Sequence, residues 1–259
     1  MDTTPSDPII KRLPYNIGSG VGERARIGLL VLESDQTIEE EFRLLTTLPG
    51  VSIYHARLEN GADVTTEMLS QMEEQIPKTA RLLPSYLGIK AIGYGCTSGS
   101  TVIGERRVEE ILSEAHKGVP STNPLSAAKA ALKIMGVKRL GLITPYSPNI
   151  TSAMQRKFNN ANLQVTIVGS YFEESDINVG RIDEDSIFNA VISIGESDKC
   201  DGVFISCTSL RAAKIIEKAE KAINKPVTSS NHALAWHLLR LAGIKDTISG
   251  FGSLFSKKR

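Results

Sequence analysis

The run Cys-Thr-Ser occurs twice in this chain, at Cys96, Thr97 and Ser98 and again at Cys207, Thr208 and Ser209, each time straight after an apolar run. A thiol is both a proton carrier and a nucleophile. Two thiols facing one another across a bound carbon centre can take a proton from one side and return it from the other. An unperturbed thiol has a pKa of about 8.5, so only a few per cent of it is thiolate near neutrality. A helix start lowers that value, because unpaired N–H groups and the helix dipole favour the anion. Both motifs read as strand, then Cys-Thr-Ser, then helix, which supplies that setting twice. The hydroxyls of Thr97, Ser98, Thr208 and Ser209 are donors for a carboxylate and for an enediolate as it forms, and backbone N–H groups lie beside them. Gly93, Gly95 and Gly99 would let the backbone approach a ligand closely.

The elements that must position these thiols alternate along the chain. Apolar runs at 27–32, 51–58, 89–94, 140–144, 163–169 and 203–206 read as strands. Amphipathic stretches at 38–47, 67–83, 107–116, 125–135, 151–160, 185–195, 211–223 and 233–241 read as helices. Asn123-Pro124 and Ser147-Pro148 look like helix starts, a capping side chain followed by proline. Such alternation predicts an α/β fold with parallel sheet. The pattern also repeats. Arg26-Ile-Gly-Leu-Leu is echoed by Arg139-Leu-Gly-Leu-Ile, the two cysteine motifs follow in the same order, and Pro120 and Pro226 each lead through a polar run into an alanine-containing helix. We therefore expect an internal duplication with two pseudosymmetric parallel-sheet lobes, at 24–122 and 123–228. Ligands bind beyond the carboxyl ends of strands in open α/β sheets, so the active site is expected in the cleft between the lobes. Residues 1–23, with Pro5, Pro8, Pro14, Gly18, Gly20 and Gly22, have no periodic apolar pattern and read as an N-terminal arm.

Composition narrows the classes. The 259 residues are 41% hydrophobic, and 30 basic against 29 acidic residues leave a formal charge of +1. That balance argues against nucleic acid and against an acidic membrane surface as partners. The start lacks the features of a secretory signal, and no apolar run approaches the ~20 residues needed to span a bilayer. Three cysteines do not make a disulfide framework, so the expected setting is cytoplasmic with reduced thiols. Cys200 and Cys207 are seven apart, no Cys-x-x-Cys redox motif is present, and His55, His116, His232 and His237 show no ligand spacing, so no metal is expected. A lone cysteine closing a buried strand is most often a small core residue. Cys200, which has no counterpart in the first half, reads that way. Matched thiols in matched contexts do not.

The runs at 93–98 and 206–209, the Thr144-Pro145-Tyr146 turn and the stretch from Thr228 to Trp236 resemble the aspartate/glutamate/hydantoin racemase superfamily, and most of all its maleate cis-trans isomerase and arylmalonate decarboxylase branch. The resemblance implies a cofactor-free and metal-free site between two lobes, with Cys96 and Cys207 as the catalytic pair and Tyr146 as a donor to a substrate carboxylate. It also implies that the C-terminal helix, within 229–259, returns to the first lobe, with Trp236 and Arg240 as scaffold, and that the protein is a homodimer. Decarboxylases of this group carry glycine where Cys96 stands, so the second thiol favours a racemase or isomerase. Maleate isomerases carry a Pro-Ser-Ser-Asn-Thr-type loop after the first strand. Here it reads Leu32-Glu-Ser-Asp-Gln-Thr37, so Asp35 replaces an asparagine that contacts substrate. A carboxylate there repels a dianion such as maleate and attracts an ammonium or N–H. Asp35 equally suits the base that takes the Cys96 proton, or a helix cap before Ile38, and Glu33 reads as solvated.

The expected function is a cofactor-independent racemase or cis-trans isomerase of a small carboxylate. Either the thiols exchange a proton at an α-carbon, or Cys96 adds to a double bond while Cys207 handles the proton. The alternatives are an arylmalonate-type decarboxylase with Cys207 as proton donor, and a non-catalytic small-anion-binding protein.

Overall fold

The computed structural model describes residues 8, 10–60 and 66–257. In chain order the first half contains β1 (Ala25–Leu32), α1 (Ile38–Leu45), β2 (Val51–Leu58), α2 (Thr66–Ala80), β3 (Ala91–Gly95), α3 (Thr97–Ile103), α4 (Glu105–Ala115), β4 (Ser121–Thr122) and α5 (Pro124–Ile134). The second contains β5 (Arg139–Thr144), α6 (Pro148–Asn159), β6 (Gln164–Ser170), α7 (Asp176–Val179), α8 (Glu184–Gly195), β7 (Gly202–Ile205), α9 (Ile216–Ile223), β8 (Val227–Ser229) and α10 (Ser230–Leu241).

The strands form two four-stranded parallel sheets of the same order, β2-β1-β3-β4 and β6-β5-β7-β8. The repeated motifs thus mark equivalent strands: β1 with β5, and β3 with β7. The inner strands are almost wholly buried, as parallel strands with helices on both faces must be. Their apolar runs made them readable. β4 and β8, of two and three residues, carry too short a pattern to predict.

The expected helix at 211–223 forms only from Ile216, as α9. The stretch after Cys207 is irregular because its polar groups bond across the cleft. The Ala213 N–H donates to Glu41 Oε1 at 2.6 Å, and the Ser209 carbonyl accepts from Thr37 Oγ1 at 2.8 Å. The expectation of a helix directly after each cysteine is therefore met at Cys96 and not at Cys207.

α10 is apolar on nearly every side, and Ala233, Leu234, Ala235, Trp236, Leu238 and Leu239 are fully buried, the pattern of a core helix. It follows β8 of the second sheet but packs on α1, β3 and β4 of the first and on α5. α5, which follows β4 of the first sheet, in turn contacts β8 of the second. Each sheet's last helix thus reaches across to the other. Gly93 serves this packing, since a Cβ there would lie 2.8 Å from Leu238 Cδ1, and one at Gly95 would lie 2.7 Å from Ile38 Cδ1. These two glycines make room for helices rather than for a ligand. At the end of α10 the Trp236 indole N–H donates to the Lys257 carbonyl, and Arg240 donates to the carbonyls of Ile244, Asp246, Phe255 and Lys257.

Of the arm expected at 1–23, residues 1–7 and 9 lie outside the described residues. From residue 10 to 21 the chain has neither helix nor strand and is exposed, Ile10 and Ile17 almost completely. Among the described residues no helix is long and apolar enough to cross a membrane.

Candidate active site

Four loops leave the carboxyl ends of β1, β3, β5 and β7 and converge. They carry Asp35, Cys96, Tyr146 and Cys207, which are 1%, 3%, 2% and 7% exposed. By strand order Cys96 and Cys207 are equivalent, and so are the positions of Asp35 and Tyr146.

Cys96 is the cap residue of α3. Its backbone is extended and its Sγ accepts from the Gly99 N–H at 3.2 Å, with Ser98 Oγ 3.5 Å away. Gly99 is required here, because a Cβ would meet Tyr94 Oη at 2.5 Å and Cys96 Sγ at 3.1 Å. Cys207 is held differently. It has a φ of 133°, a conformation that side chains rarely adopt and that stores strain. Its N–H donates to Ser230 Oγ at 3.0 Å, and Thr97 Oγ1 donates to the same oxygen at 2.8 Å. Ser230, in the first turn of α10, therefore ties the two cysteine loops together. Asn231 beside it donates to the Thr208 carbonyl at 2.7 Å and to Glu41 Oε2 at 2.9 Å.

Burial decides the acidity of both thiols. Loss of solvent pushes Cys96 up to about 11, with partial relief from the Ser98 hydroxyl and the Gly99 N–H. Cys207 is pushed higher still by burial, and the charges of Asp176 and Asp35 add to the effect. The lowering expected from helix starts is thus outweighed: Cys96 keeps part of it, while Cys207 begins no helix. Both are protonated at neutrality, and Cys96 is the more easily ionised.

Three carboxylates lie in or behind the site. Asp35 Oδ1 accepts from the N–H groups of Thr37 and Ile38 at 2.8 and 2.9 Å, while Oδ2 is buried without a hydrogen bond. The helix-cap reading of Asp35 therefore falls on Oδ1 alone. Burial raises this carboxyl to about 6, against the opposing pull of its hydrogen bonds. Glu41 is raised by burial to about 7, countered in part by Ala213 and Asn231. Asp176 accepts from Ser34 Oγ at 2.5 Å and from Ser209 Oγ at 2.6 Å, so it joins the β1 and β7 loops.

Among the hydroxyls expected to hold substrate, Thr97 donates to Ser230, Thr208 to the Gly95 carbonyl at 3.4 Å and Ser209 to Asp176, while Ser98 stands beside Cys96. Tyr146 Oη is buried without a hydrogen bond next to Cys207, and Tyr94 Oη likewise next to Cys96. Burial holds both phenols well above 10, so they remain donors. The Tyr146 turn is fixed by Ser170 Oγ, which donates to its carbonyl at 2.8 Å. Glu33 is exposed. Cys200 lies apart, its thiol donating to the Ile194 carbonyl at 3.4 Å. His116 and His232 are bonded to backbone carbonyls within the scaffold, and among the described residues no group of three or more His, Cys, Asp or Glu is placed to hold a metal.

Sequence reasoning missed Tyr94, Asp176, Glu41, Ser230 and Asn231. Tyr94, Ser230 and Asn231 lay within the motifs that carry the resemblance. Glu41 and Asp176 had no signal, since each depends on contact with the other half.

The arylmalonate decarboxylase family model matches residues 39–255. The chain belongs to this family. A maleate isomerase of Geobacillus stearothermophilus is 23% identical over 246 residues, covering 90% of this chain and 98% of that protein. The arylmalonate decarboxylase of Bordetella bronchiseptica is 27% identical over 142 residues, which cover 54% of this chain and 59% of its own. Among solved structures, a cysteine-to-serine mutant of Nocardia farcinica maleate cis-trans isomerase with a covalently bound succinylcysteine intermediate superposes with a TM-score of 0.81. The two are 23% identical, over 89% of this chain and 98% of that one.

Proposed function

We propose that this family member is a cofactor-independent isomerase of a small carboxylate that works with Cys96 and Cys207. The observation that carries this reading is the placing of two buried thiols at equivalent strand ends, tied to one oxygen through Thr97 Oγ1 and the Cys207 N–H. A decarboxylase needs a single proton donor, whereas a second thiol at the matching position supplies chemistry on the opposite face. The maleate isomerases among its relatives, one of them captured with a succinylcysteine, support an addition route.

The two thiols are unequal in a way that suits this route. Cys96, the more acidic, is the nucleophile once its proton has been lost to water ahead of substrate binding: its Sγ bonds to one alkene carbon. Cys207 gives its proton to the neighbouring carbon, leaving a thiolate and a single C–C bond free to rotate. Cys207 then takes a proton back from that carbon as the C–S bond breaks, which restores the double bond in the other geometry and Cys96 as thiolate. The Tyr146 hydroxyl holds a substrate carboxylate, and Tyr94 donates to the Cys96 sulfur. At a saturated α-carbon the same thiols would exchange a proton through an enediolate. Three free buried cysteines fit a reducing, cytoplasmic setting, and a homodimer is the assembly to look for by sedimentation.

The test is ¹H NMR in D₂O with maleate, amino acids, hydantoins and arylmalonates, beside Cys96→Ser and Cys207→Ser. Isomerisation or deuterium uptake in the wild type, lost in both variants, is the expected result. Activity that needs only Cys207 would replace this reading with decarboxylation, and ligand binding untouched by either substitution would replace it with a binder.

A further inference from the structure

The isomerase reading leaves the nature of the substrate's second polar group open. We infer that Asp35 and Asp176 form an acidic wall that selects a substrate bearing an ammonium beside its carboxylate and rejects a dicarboxylate. This rests on the proposed function, since it assigns a specificity to that same site.

Asp35 Oδ1 is fully engaged by two backbone N–H groups, so its side chain cannot swing away without uncapping α1. Oδ2 is then held in a fixed direction, buried and without a hydrogen bond. The Thr208 side chain lies within reach of this carboxylate as a donor, and the Asp35 charge is felt at Cys207. Asp176 is locked by Ser34 and Ser209, and its charge is felt at Asp35 and at both thiols. The charges that weigh on the two thiols and on Asp35 are thus negative. A buried polar atom with no partner is destabilising, and more so when it carries charge. A substrate that brings a donor to Oδ2 removes that cost, and one that brings a second carboxylate adds to it. Tyr146 remains as a neutral donor for the substrate carboxylate and supplies no counter-charge for a second one.

The arrangement predicts its own reversal. Asp35→Asn keeps the oxygen that caps α1 and turns Oδ2 into an N–H donor, changing attraction into repulsion with almost no change of shape. Matched pairs of ligands isolate the effect: phenylglycine against phenylmalonate, and 2-aminobutyrate against ethylmalonate, with maleate alongside. Turnover in D₂O is followed by ¹H NMR, and binding by calorimetry on the Cys207→Ser protein with and without Asp35→Asn. The expected result is at least tenfold tighter binding of the ammonium member of each pair with Asp35. In the asparagine variant that preference inverts, with a matching shift in kcat/KM. Equal or tighter binding of the dianions with Asp35, or a preference unmoved by Asp35→Asn, overturns the inference, as does binding of neither member. Asp176→Asn is the second variant, expected to weaken the preference without inverting it. Ammonium-selective binding without turnover in the Cys207-containing protein would instead sink the isomerase reading and leave the acidic wall standing.

Discussion

Cys207 carries its thiol at a φ of 133°, where glycine would sit at ease and any other residue is strained. The conformation persists because the N–H is bonded to Ser230. Cys207→Gly and Cys207→Ala should both abolish isomerisation, yet differ in stability. The glycine variant should be the more stable by about 1 kcal/mol in urea unfolding, because it relieves the strain that alanine retains. Equal stability would mean that the backbone relaxes freely there. The strand ends that carry the two cysteines were legible from sequence because each closes an apolar run in a motif that recurs, whereas Tyr146 and Asp35 were singled out only through the family resemblance. The direction of the thiol acidities was not legible. It depends on how much water the opposite half removes, and a local motif carries no record of that.

At the scale of elements, α10 organises the site. Its first turn presents Ser230 to both cysteine loops and Asn231 to the Thr208 carbonyl and Glu41. Ser230→Ala should therefore lower kcat at least tenfold with a smaller change in KM, since the thiols lose their mutual alignment while Tyr146 is untouched. The stability cost should be about 1–2 kcal/mol for two hydrogen bonds. An unchanged kcat would show that the loops are held by packing alone. The inner strands were readable because parallel strands buried on both faces are apolar throughout. α9 was misjudged because the irregular stretch before it is stabilised by Glu41 and Thr37, some 170 residues upstream.

The whole molecule should report its buried acids in its stability. Asp35 and Glu41 are raised by burial to about 6 and about 7, so the folded chain keeps their protons after the unfolded chain has lost them. Unfolding then releases protons, and stability falls as pH rises from about 4 to about 7, levelling off above. Glu41 alone accounts for about 3 kcal/mol of that fall. Urea unfolding at intervals from pH 4 to 8 checks this, and Glu41→Gln should flatten the upper part of the curve. A stability that climbs through this range would mean that water reaches these carboxyls. The two-sheet architecture was visible in the repeated motifs, whereas the exchange of α5 and α10 was not legible in the helical pattern, and the return of α10 to the first lobe was expected only from the family resemblance. Both are apolar segments that follow a strand, and helical periodicity does not say which sheet they will cover.

That exchange bears on how the chain can be divided. A cut at the exposed turn of Gly136 would leave two fragments of one topology, each ending in a helix whose apolar surface belongs partly on the other's sheet. Neither would bury its own core, and each would be the other's missing piece. Co-expressed, the fragments should find one another and restore activity by complementation.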